Sequence, residues 1–182
     1  MNLFLAEALA DCVPGSLLLP CDGEGRNAVG AAAAGWSVVS FDSSEVGVEK
    51  ARTWASEAKV EVDARVGDAF DFDPGCTFDV VALIFAHMPP DVRREFHLRA
   101  WSWVKPGGLL VVEGFHLDQL GRPSGGPRVI EMLYDAHTVP GVLPATATVE
   151  LSERKPLVLD EGPCHQGAAV TQRWIIRKSS EL

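Results

Sequence analysis

The stretch from Leu17 to Gly35 constrains the fold of this chain more than any other part of its sequence. Three leucines, residues 17–19, predict a short apolar strand that ends in a turn carrying Gly23 and Gly25. Glycine permits the backbone angles of a tight turn and leaves space for a ligand to approach the backbone. The small residues from Ala28 to Ala34 then predict a helix that can lie close to a sheet. The stretch therefore predicts a strand, a turn and a helix whose unpaired N–H groups face the turn.

A second predicted strand, Ser37 to Phe41, ends at Asp42, about twenty positions after Gly23. At this separation a βαβ unit places a carboxylate beside the hydroxyl groups of a ribose. Strand, glycines, helix and acid therefore all predict a site for an adenosine-containing cofactor. A purely structural turn is the less favoured interpretation.

Length and composition limit the class of protein. A chain of 182 residues can bury one good core, so we expect residues 1–182 to form a single domain. The apolar fraction of 47% and the charged fraction of 23% are ordinary for a soluble globular protein. The first residues lack the basic lead of a signal peptide, and no apolar run is long enough to span a bilayer. We therefore expect a cytoplasmic protein with no membrane partner.

Charge and cysteine usage narrow the range of partners. The net charge of −9 argues against nucleic-acid binding, which needs clustered basic residues, so we expect a small-molecule substrate. The four cysteines show neither the spacing of metal ligands nor that of a disulfide framework, so we expect no bound metal. The sequence leaves a monomer and a homodimer equally open.

Strands and helices alternate as far as Glu113. The predicted helices are Leu3–Leu9, Glu45–Ala58 and Pro89–Val104. The predicted strands are Phe78–Ala86, Leu109–Glu113 and one that begins at Val60 and ends at Gly67-Asp68. This alternation predicts a doubly wound α/β sheet with right-handed crossovers. On the last of these helices, His97 is expected to be exposed.

The pattern changes beyond Glu113. A helix is predicted from Arg128 to about His137, and two strand-like segments follow, Ala145–Leu151 and Ala168–Arg177, with a long connection between them. Because no helix separates these two segments, we expect them to pair antiparallel at the end of the sheet.

Several short motifs resemble those of one protein family. Residues 23–28 resemble its cofactor turn, residues 67–69 the segment whose acid meets the adenine, and residues 105–108 the turn before the fifth strand. Together with the closing antiparallel pair, they make the chain similar to class I S-adenosylmethionine-dependent methyltransferases. Further segments resemble the small bacterial TehB-like (tellurite-resistance-like) methyltransferases: residues 25–28, 84–90, 113–115, 125–127 and 161–167.

The resemblance implies an enzyme that uses S-adenosyl-L-methionine. It also implies an α/β fold with a doubly wound, mostly parallel seven-stranded sheet (a Rossmann-like methyltransferase fold) that ends in an antiparallel strand pair. The cofactor would be held by the turn, by the ribose acid and by the strand ends nearby. The residues concerned are Asp22, Gly23, Gly25, Arg26, Asn27, Asp42, Ser43, Asp68, Ala69 and Phe85.

The chain departs from the first motif of the family, D/E-x-G-x-G-x-G. Leu19 stands in place of the acid and Cys21 in place of the first glycine. A contact to the amino-acid end of the cofactor would then be lost, or taken over by Asp22 or Glu24. This departure leaves open a non-catalytic S-adenosylmethionine-binding domain. An NAD-binding oxidoreductase is a further alternative, because the glycine spacing also fits the dinucleotide pattern, but the chain has no room for a separate substrate domain.

Candidate catalytic residues lie at predicted strand ends, since ligands of open α/β sheets bind outside the carboxyl ends of the strands. His87 is either a base or a histidine satisfied by the backbone, and Glu113 is either a site carboxylate or a polar strand end. His165 lies in a loop that the resemblance marks. A thiol or chalcogen oxyanion needs little help from a base, whereas a hydroxyl or amine acceptor needs one, and His87 or His165 would then supply it.

Candidate substrate-binding residues surround the predicted helix start at Pro127. Proline favours the first helical position, and the free N–H groups of that helix would attract an anion. Arg128 in its first turn and Arg122 on the preceding loop predict that residues 121–128 form a lid over an anionic acceptor. His116 is a further candidate. The predicted function is methyl transfer to a small anionic, thiol or chalcogen acceptor.

Overall fold

The computed structural model describes residues 1–160, 162 and 165–180. These residues fold around one seven-stranded sheet. The helices are α1 (Leu3–Ala10), α2 (Arg26–Ala33), α3 (Glu45–Ala58) and α4 (Pro90–Ser102), and the strands are β1 (Ser16–Pro20), β2 (Ser37–Asp42), β3 (Val62–Val66), β4 (Phe78–Ile84), β5 (Val104–Phe115), β6 (Ala147–Asp160) and β7 (Gln166–Lys178). In this part of the chain, every helix is too short or too polar to cross a bilayer.

The strands lie in the order β3-β2-β1-β4-β5-β7-β6. Strands β1 to β5 are parallel, and β7 lies antiparallel between β5 and β6. This order confirms the predicted fold, a doubly wound sheet that ends in an antiparallel pair. The direction of winding reverses between β1 and β4, and such a reversal opens a crevice at the carboxyl ends of the two strands.

Helices cover both faces of the sheet because its central strands are nearly continuous apolar runs. On one face, Leu5 of α1 and Ala28 of α2 are buried in a cluster with Leu17 of β1. On the other face, Phe96 of α4 is buried in a second cluster with Val81 of β4. The small residues of α2 let its backbone approach the sheet closely, as the sequence predicts.

The predicted helix from Arg128 to His137 is wrong. The segment contains one 3₁₀ turn, Ile130–Met132, and a second turn, Pro140–Val142, follows it. Its backbone is occupied by tertiary contacts instead of a helical ladder. Tyr134 exchanges hydrogen bonds with the end of β5, donating its N–H to the Phe115 carbonyl and accepting from the Leu117 N–H.

The predicted long connection between the last two strands is also wrong. β6 and β7 pair from Ala147–Lys178 to Asp160–Gln166, so that only residues 161–165 separate the strands. Alternate residues of β6 between positions 151 and 158 are exposed, and the others are only half-buried. As an edge strand, β6 therefore lacks the apolar alternation by which a strand is identified from sequence.

At the amino ends of the central strands, Asp79 joins β1, β4 and β5. Its carboxylate accepts hydrogen bonds from the backbone N–H and the hydroxyl of Ser16, both at 2.7 Å, and it pairs with Lys105 at 2.9 Å. These bonds lower the pKa of Asp79 to about 2. This cluster connects three strands at their amino ends, on the side of the sheet away from the crevice.

Candidate functional site

The turn between β1 and α2, residues 21–25, contains three residues in the left-handed backbone region. Cys21 has a φ of 57°, Gly23 of 58° and Gly25 of 84°. Glycine adopts this conformation without strain, whereas another residue costs about 1–2 kcal/mol there. The backbone therefore explains why the family pattern has glycine at position 21, and Cys21 keeps the same conformation at some cost in stability.

Gly23 and Gly25 have different surroundings. A Cβ added to Gly23 would meet no described atom within 4 Å, so the backbone borders open space there. A Cβ added to Gly25 would lie 2.4 Å from the Cβ of Ala51 in α3. Gly23 thus leaves room for a ligand, as predicted. The prediction that Gly25 leaves room for the ligand is corrected, because this glycine lets α2 begin against α3.

Asp42, at the end of β2, faces this turn. One carboxylate oxygen accepts the Gly23 N–H and the other accepts the Ser44 N–H, both at 2.9 Å. Each oxygen retains a further lone pair, so the carboxylate can also accept from two hydroxyl groups. Ser43 is exposed beside it. The geometry suits the ribose diol of an adenosine cofactor.

The two acids within the turn have different roles. Glu24 is exposed and pairs with Lys50 at 2.5 Å. Asp22 turns towards α2, where its oxygens accept the Asn27 amide at 2.9 Å and the Ala28 N–H at 3.0 Å. Burial raises the pKa of Asp22 to about 7. Of the two, only Asp22 borders the cavity described next.

A cavity of about 230 Å³ brings three distant parts of the chain together. The turn forms one wall, the end of β4 forms another, and His165 closes it from the connection between β6 and β7. The His165 ring stacks on Phe85 with centroids 4.6 Å apart, and Phe115 lies behind at 5.5 Å from His165. The lining residues are Cys21, Asp22, Gly23, Arg26, Asn27, Ile84, Phe85 and His165.

His87 holds the backbone instead of facing this cavity. Its Nε2 accepts the Phe115 N–H at 2.9 Å, and its Nδ1 lies 2.8 Å from the Met132 carbonyl. The two contacts require the neutral tautomer with the proton on Nδ1, and burial lowers the pKa of His87 to about 4. Both ring nitrogens are therefore occupied, and the structure corrects the prediction of His87 as a catalytic base. The alternative, a histidine satisfied by the backbone, is what the structure shows.

His97 is fully buried, which contradicts the predicted exposed position. Its Nε2 lies 3.5 Å from the Tyr134 hydroxyl, and its Nδ1 has no hydrogen-bond partner among the described residues. Burial lowers the pKa of His97 to about 4. The second turn, Pro140–Val142, also packs on α4.

Glu113 is also sealed away from solvent. One carboxylate oxygen accepts from Thr171 Oγ1 at 2.9 Å and Arg173 Nε at 2.6 Å, and the other accepts from Asn2 Nδ2 at 2.7 Å. A carboxylate enclosed in this way touches no substrate. The prediction of a catalytic Glu113 is therefore corrected to a buried ion pair.

The predicted substrate-side arginines lie around a second space. A groove of about 600 Å³ is lined by residues 119–123 and 125–128, which include the exposed Arg122 and Arg128. A Cβ added to Gly126 would lie 2.7 Å from the ring of Phe115, whose centroid is 4.7 Å from that of Phe85. The groove is thus connected to the cavity through Phe115, which packs between Gly126 and Phe85. No helix begins at Pro127, so the predicted helix-terminal anion site does not exist.

The remaining predicted site residues lie along the same edge. His116 accepts the Asp118 N–H at 3.0 Å through Nδ1 and caps a short 3₁₀ turn, so its ring is held by its own loop. Asp68 is exposed after β3 and accepts the Phe70 N–H at 2.8 Å, while Ala69 is buried. Apart from Gly25, which packs against α3, the cofactor candidates thus lie near the carboxyl ends of β1 to β4, and His116 directly follows β5.

Sequence reasoning missed Asn2 and Arg173. Neither belongs to a motif, and Asn2 precedes an ordinary amphipathic helix. A signal for Arg173 does exist, since it stands opposite Glu113 in the β5–β7 register. The pairing of Arg173 with Glu113 can be predicted only if the start and end of β7 are known.

Comparison with known proteins agrees with this geometry. Residues 19–108 match the family model described as a methyltransferase domain. No curated protein sequence matches the chain at a significant level. TehB from Haemophilus influenzae is similar in structure with a TM-score of 0.78 and 12% identity, covering 98% of this chain and 63% of that chain.

Two further solved structures have the same fold. An S-adenosylmethionine-dependent methyltransferase from Methanosarcina mazei has a TM-score of 0.74 and 13% identity and is covered over the full length of both chains, 100% each. The N-methyltransferase NodS from Bradyrhizobium japonicum, solved with S-adenosylhomocysteine, has a TM-score of 0.71 and 15% identity, covering 96% of this chain and 83% of that chain.

Residues 19–108 thus match a methyltransferase domain, and the chain has the fold of solved S-adenosylmethionine-dependent methyltransferases. S-adenosylmethionine is the cofactor that the sequence resemblance implies. The open space at Gly23, the remaining acceptor capacity of Asp42 and the cavity beside the turn all fit this cofactor. The family match favours methyl transfer over the alternative of an NAD-binding oxidoreductase.

Proposed function

We propose that this enzyme methylates a small anionic, thiol or chalcogen acceptor, as TehB-like methyltransferases are expected to do. The observation that carries the proposal is the cavity in which the turn meets Phe85 and His165, with the groove of Arg122 and Arg128 connected to it through Phe115. We also propose that residues 1–182 act as one domain in the cytoplasm, on small molecules and not on nucleic acid.

The cofactor is proposed to lie along the carboxyl edge of β1 to β4. Asp42 would accept from both ribose hydroxyls, and Asp68 with Ala69 would border the adenine. The amino-acid end would lie over Gly23 and beside Arg26 and Asn27, where the cavity begins. This placement relies on the cofactor-binding residues that the resemblance implies.

Methyl transfer needs alignment above all, because it is an in-line displacement at carbon. S-adenosylmethionine supplies an electrophilic methyl group on a positively charged sulfur. Phe85 and His165 would wall off the acceptor side and exclude water from it. A thiolate or oxyanion would then need only to be positioned opposite the leaving sulfur.

His165 is the proposed base for acceptors that carry a proton. Support comes from position, since His165 borders the cavity, whereas His87 is occupied by backbone contacts and Glu113 is enclosed. A His165→Asn variant should therefore lose activity towards an amine or hydroxyl acceptor. It should keep most of its activity towards a thiol that is ionised at the assay pH.

The two arginines are proposed to attract the anionic acceptor into the groove. Arg128→Gln should raise the KM for an anionic acceptor, with cofactor affinity unchanged. The matched control is Lys59→Gln, which removes one positive charge at the C-terminal cap of α3, near the opposite edge of the sheet. Equal effects of both substitutions would show that Arg128 acts only through the net charge of the protein.

The decisive experiment is an acceptor screen that follows S-adenosylhomocysteine release. Thiols, chalcogen oxyanions and small amines are offered to the enzyme at equal concentration. Turnover confined to the first two classes supports the proposal. Turnover of amines alone overturns it, and tight cofactor binding without turnover of any acceptor would favour a non-catalytic binding domain.

A further inference from the structure

A chain of buried polar side chains runs from β7 to the cofactor turn, and the mechanism above makes no use of it. It consists of Arg173, Glu113, Asn2 and Asn27, and we call it the relay. Their exposed fractions are 6%, 0%, 1% and 7%, so each depends on the others for its hydrogen bonds. Leaving one such group unpaired is costly, which gives the relay a fixed geometry.

Asn2 is the link in the middle of the relay. Its amide donates to Glu113 at 2.7 Å, and its side-chain oxygen caps α1 by accepting the Leu5 N–H at 2.8 Å. Its backbone N–H donates to the Asn27 side-chain oxygen at 2.9 Å. Three elements, β5, α1 and α2, are therefore joined through one residue.

The relay ends on the cofactor turn itself. The amide of Asn27 donates to Asp22 at 2.9 Å, and both residues border the cavity. Leu19, in the position where the family pattern has an acid, is buried in the apolar core and offers the turn no polar anchor. On the α2 side of the turn, the polar support thus comes from the relay, whereas Asp42 supports the β2 side.

We propose that the relay holds the first turn of α2 in the position that the amino-acid end of the cofactor requires. Asn2 and Glu113 are then positioning residues for cofactor binding, although neither touches the ligand. The ribose end is held separately, by Asp42 on β2. Damage to the relay should therefore weaken ligands that carry an amino-acid end and spare ligands that lack it.

Two isosteric substitutions test the link between Asn2 and Glu113. Asn2→Asp keeps the cap of α1 but removes the amide donor, and Glu113→Gln keeps an acceptor for Arg173 but presents an amide to Asn2. Each should weaken S-adenosylhomocysteine binding about tenfold by calorimetry, the loss of one hydrogen bond to a charged group. Binding of 5′-methylthioadenosine, which lacks the amino-acid end, should change less than about twofold on the same argument.

The double variant restores the hydrogen bond with its polarity exchanged, since the new amide at position 113 faces the new carboxylate at position 2. S-adenosylhomocysteine affinity should return to within about threefold of the unmodified enzyme. Failure of this rescue, with both single variants weakened, overturns the proposal. So does an equal loss for both ligands, which indicates a general structural effect.

Leu9→Ala is the matched control for stability, because it removes buried contacts of α1 without touching the relay. It should lower the melting temperature and leave S-adenosylhomocysteine affinity unchanged. If it weakens binding as much as Asn2→Asp does, the proposal is overturned. Should Glu113→Gln fail to fold because Arg173 loses its charged partner, Asn2→Asp against Leu9→Ala still decides the question.

Discussion

The two sides of the crevice are constructed differently. The cofactor side, residues 21–69, consists of a turn and strand ends whose carboxylates receive backbone N–H groups at fixed distances. The acceptor side combines the end of β4, the segment after β5 and the connection after β6, which are held by ring stacking and by His87 bonds to backbone. The first side is defined by local backbone geometry, and the second by packing between distant segments. Substitutions should therefore separate cofactor affinity from acceptor choice.

The largest expected effect is on the cofactor side. In Gly25→Val, the new Cβ would meet Ala51 at 2.4 Å in a left-handed conformation. Overpacking and backbone strain together should cost about 3 kcal/mol or more of unfolding free energy, measured in urea. Gly23→Ala is the control, since space is open there and only the backbone strain of about 1 kcal/mol remains. Equal stability of the two variants would contradict the structure.

The acceptor side should be the more sensitive of the two to acid. His87 and His97 have folded pKa values near 4 and unfolded values near 6.5, so the unfolded chain binds more protons in this range. Their stabilising effect is complete above about pH 6.5 and is lost as the pH falls towards 4, by up to about 3 kcal/mol each.

The titration of unfolding free energy between pH 7 and 4 checks this expectation. His97→Phe removes one titrating group, and it should reduce the slope by the contribution of one buried histidine. An unchanged slope would show that burial of His97 does not govern acid stability. The cofactor side lacks buried histidines among the described residues, and the raised pKa of Asp22 acts in the opposite direction, so the remaining slope should combine His87 with Asp22.

The sequence predictions were more accurate on the cofactor side of the crevice than on the acceptor side. Gly23, Asp42 and the helix after the turn are local features, and their spacing was sufficient to predict them. His97 was wrongly predicted to be exposed because its burial depends on Tyr134 and the turn at Pro140. Tyr134 lies in the segment that was wrongly predicted to be a helix. Glu113 was assigned to catalysis because it follows an apolar run, whereas its partners Asn2 and Arg173 lie 111 and 60 positions away.

A smaller effect on stability is expected at the amino ends of the strands, on the side away from the crevice. The pKa of Asp79 is lowered to about 2 by Ser16 and Lys105, so its contribution is present above about pH 4 and is lost as the pH falls towards 2. Asp79 is partly exposed, which limits this contribution to about 1 kcal/mol after solvent screening. Asp79→Asn should lower stability by this amount at pH 7 in urea unfolding. A change in S-adenosylhomocysteine affinity would contradict the separation of the two edges.

The central claim is that the cofactor is bound through local geometry at the end of β2, and calorimetry of Asp42→Ala tests it most directly. Loss of a charged acceptor of two ribose hydroxyls should weaken S-adenosylhomocysteine binding by about 1.5–3 kcal/mol. The same variant should weaken 5′-methylthioadenosine equally, because both ligands carry the ribose. Unchanged affinity for both ligands would contradict the account.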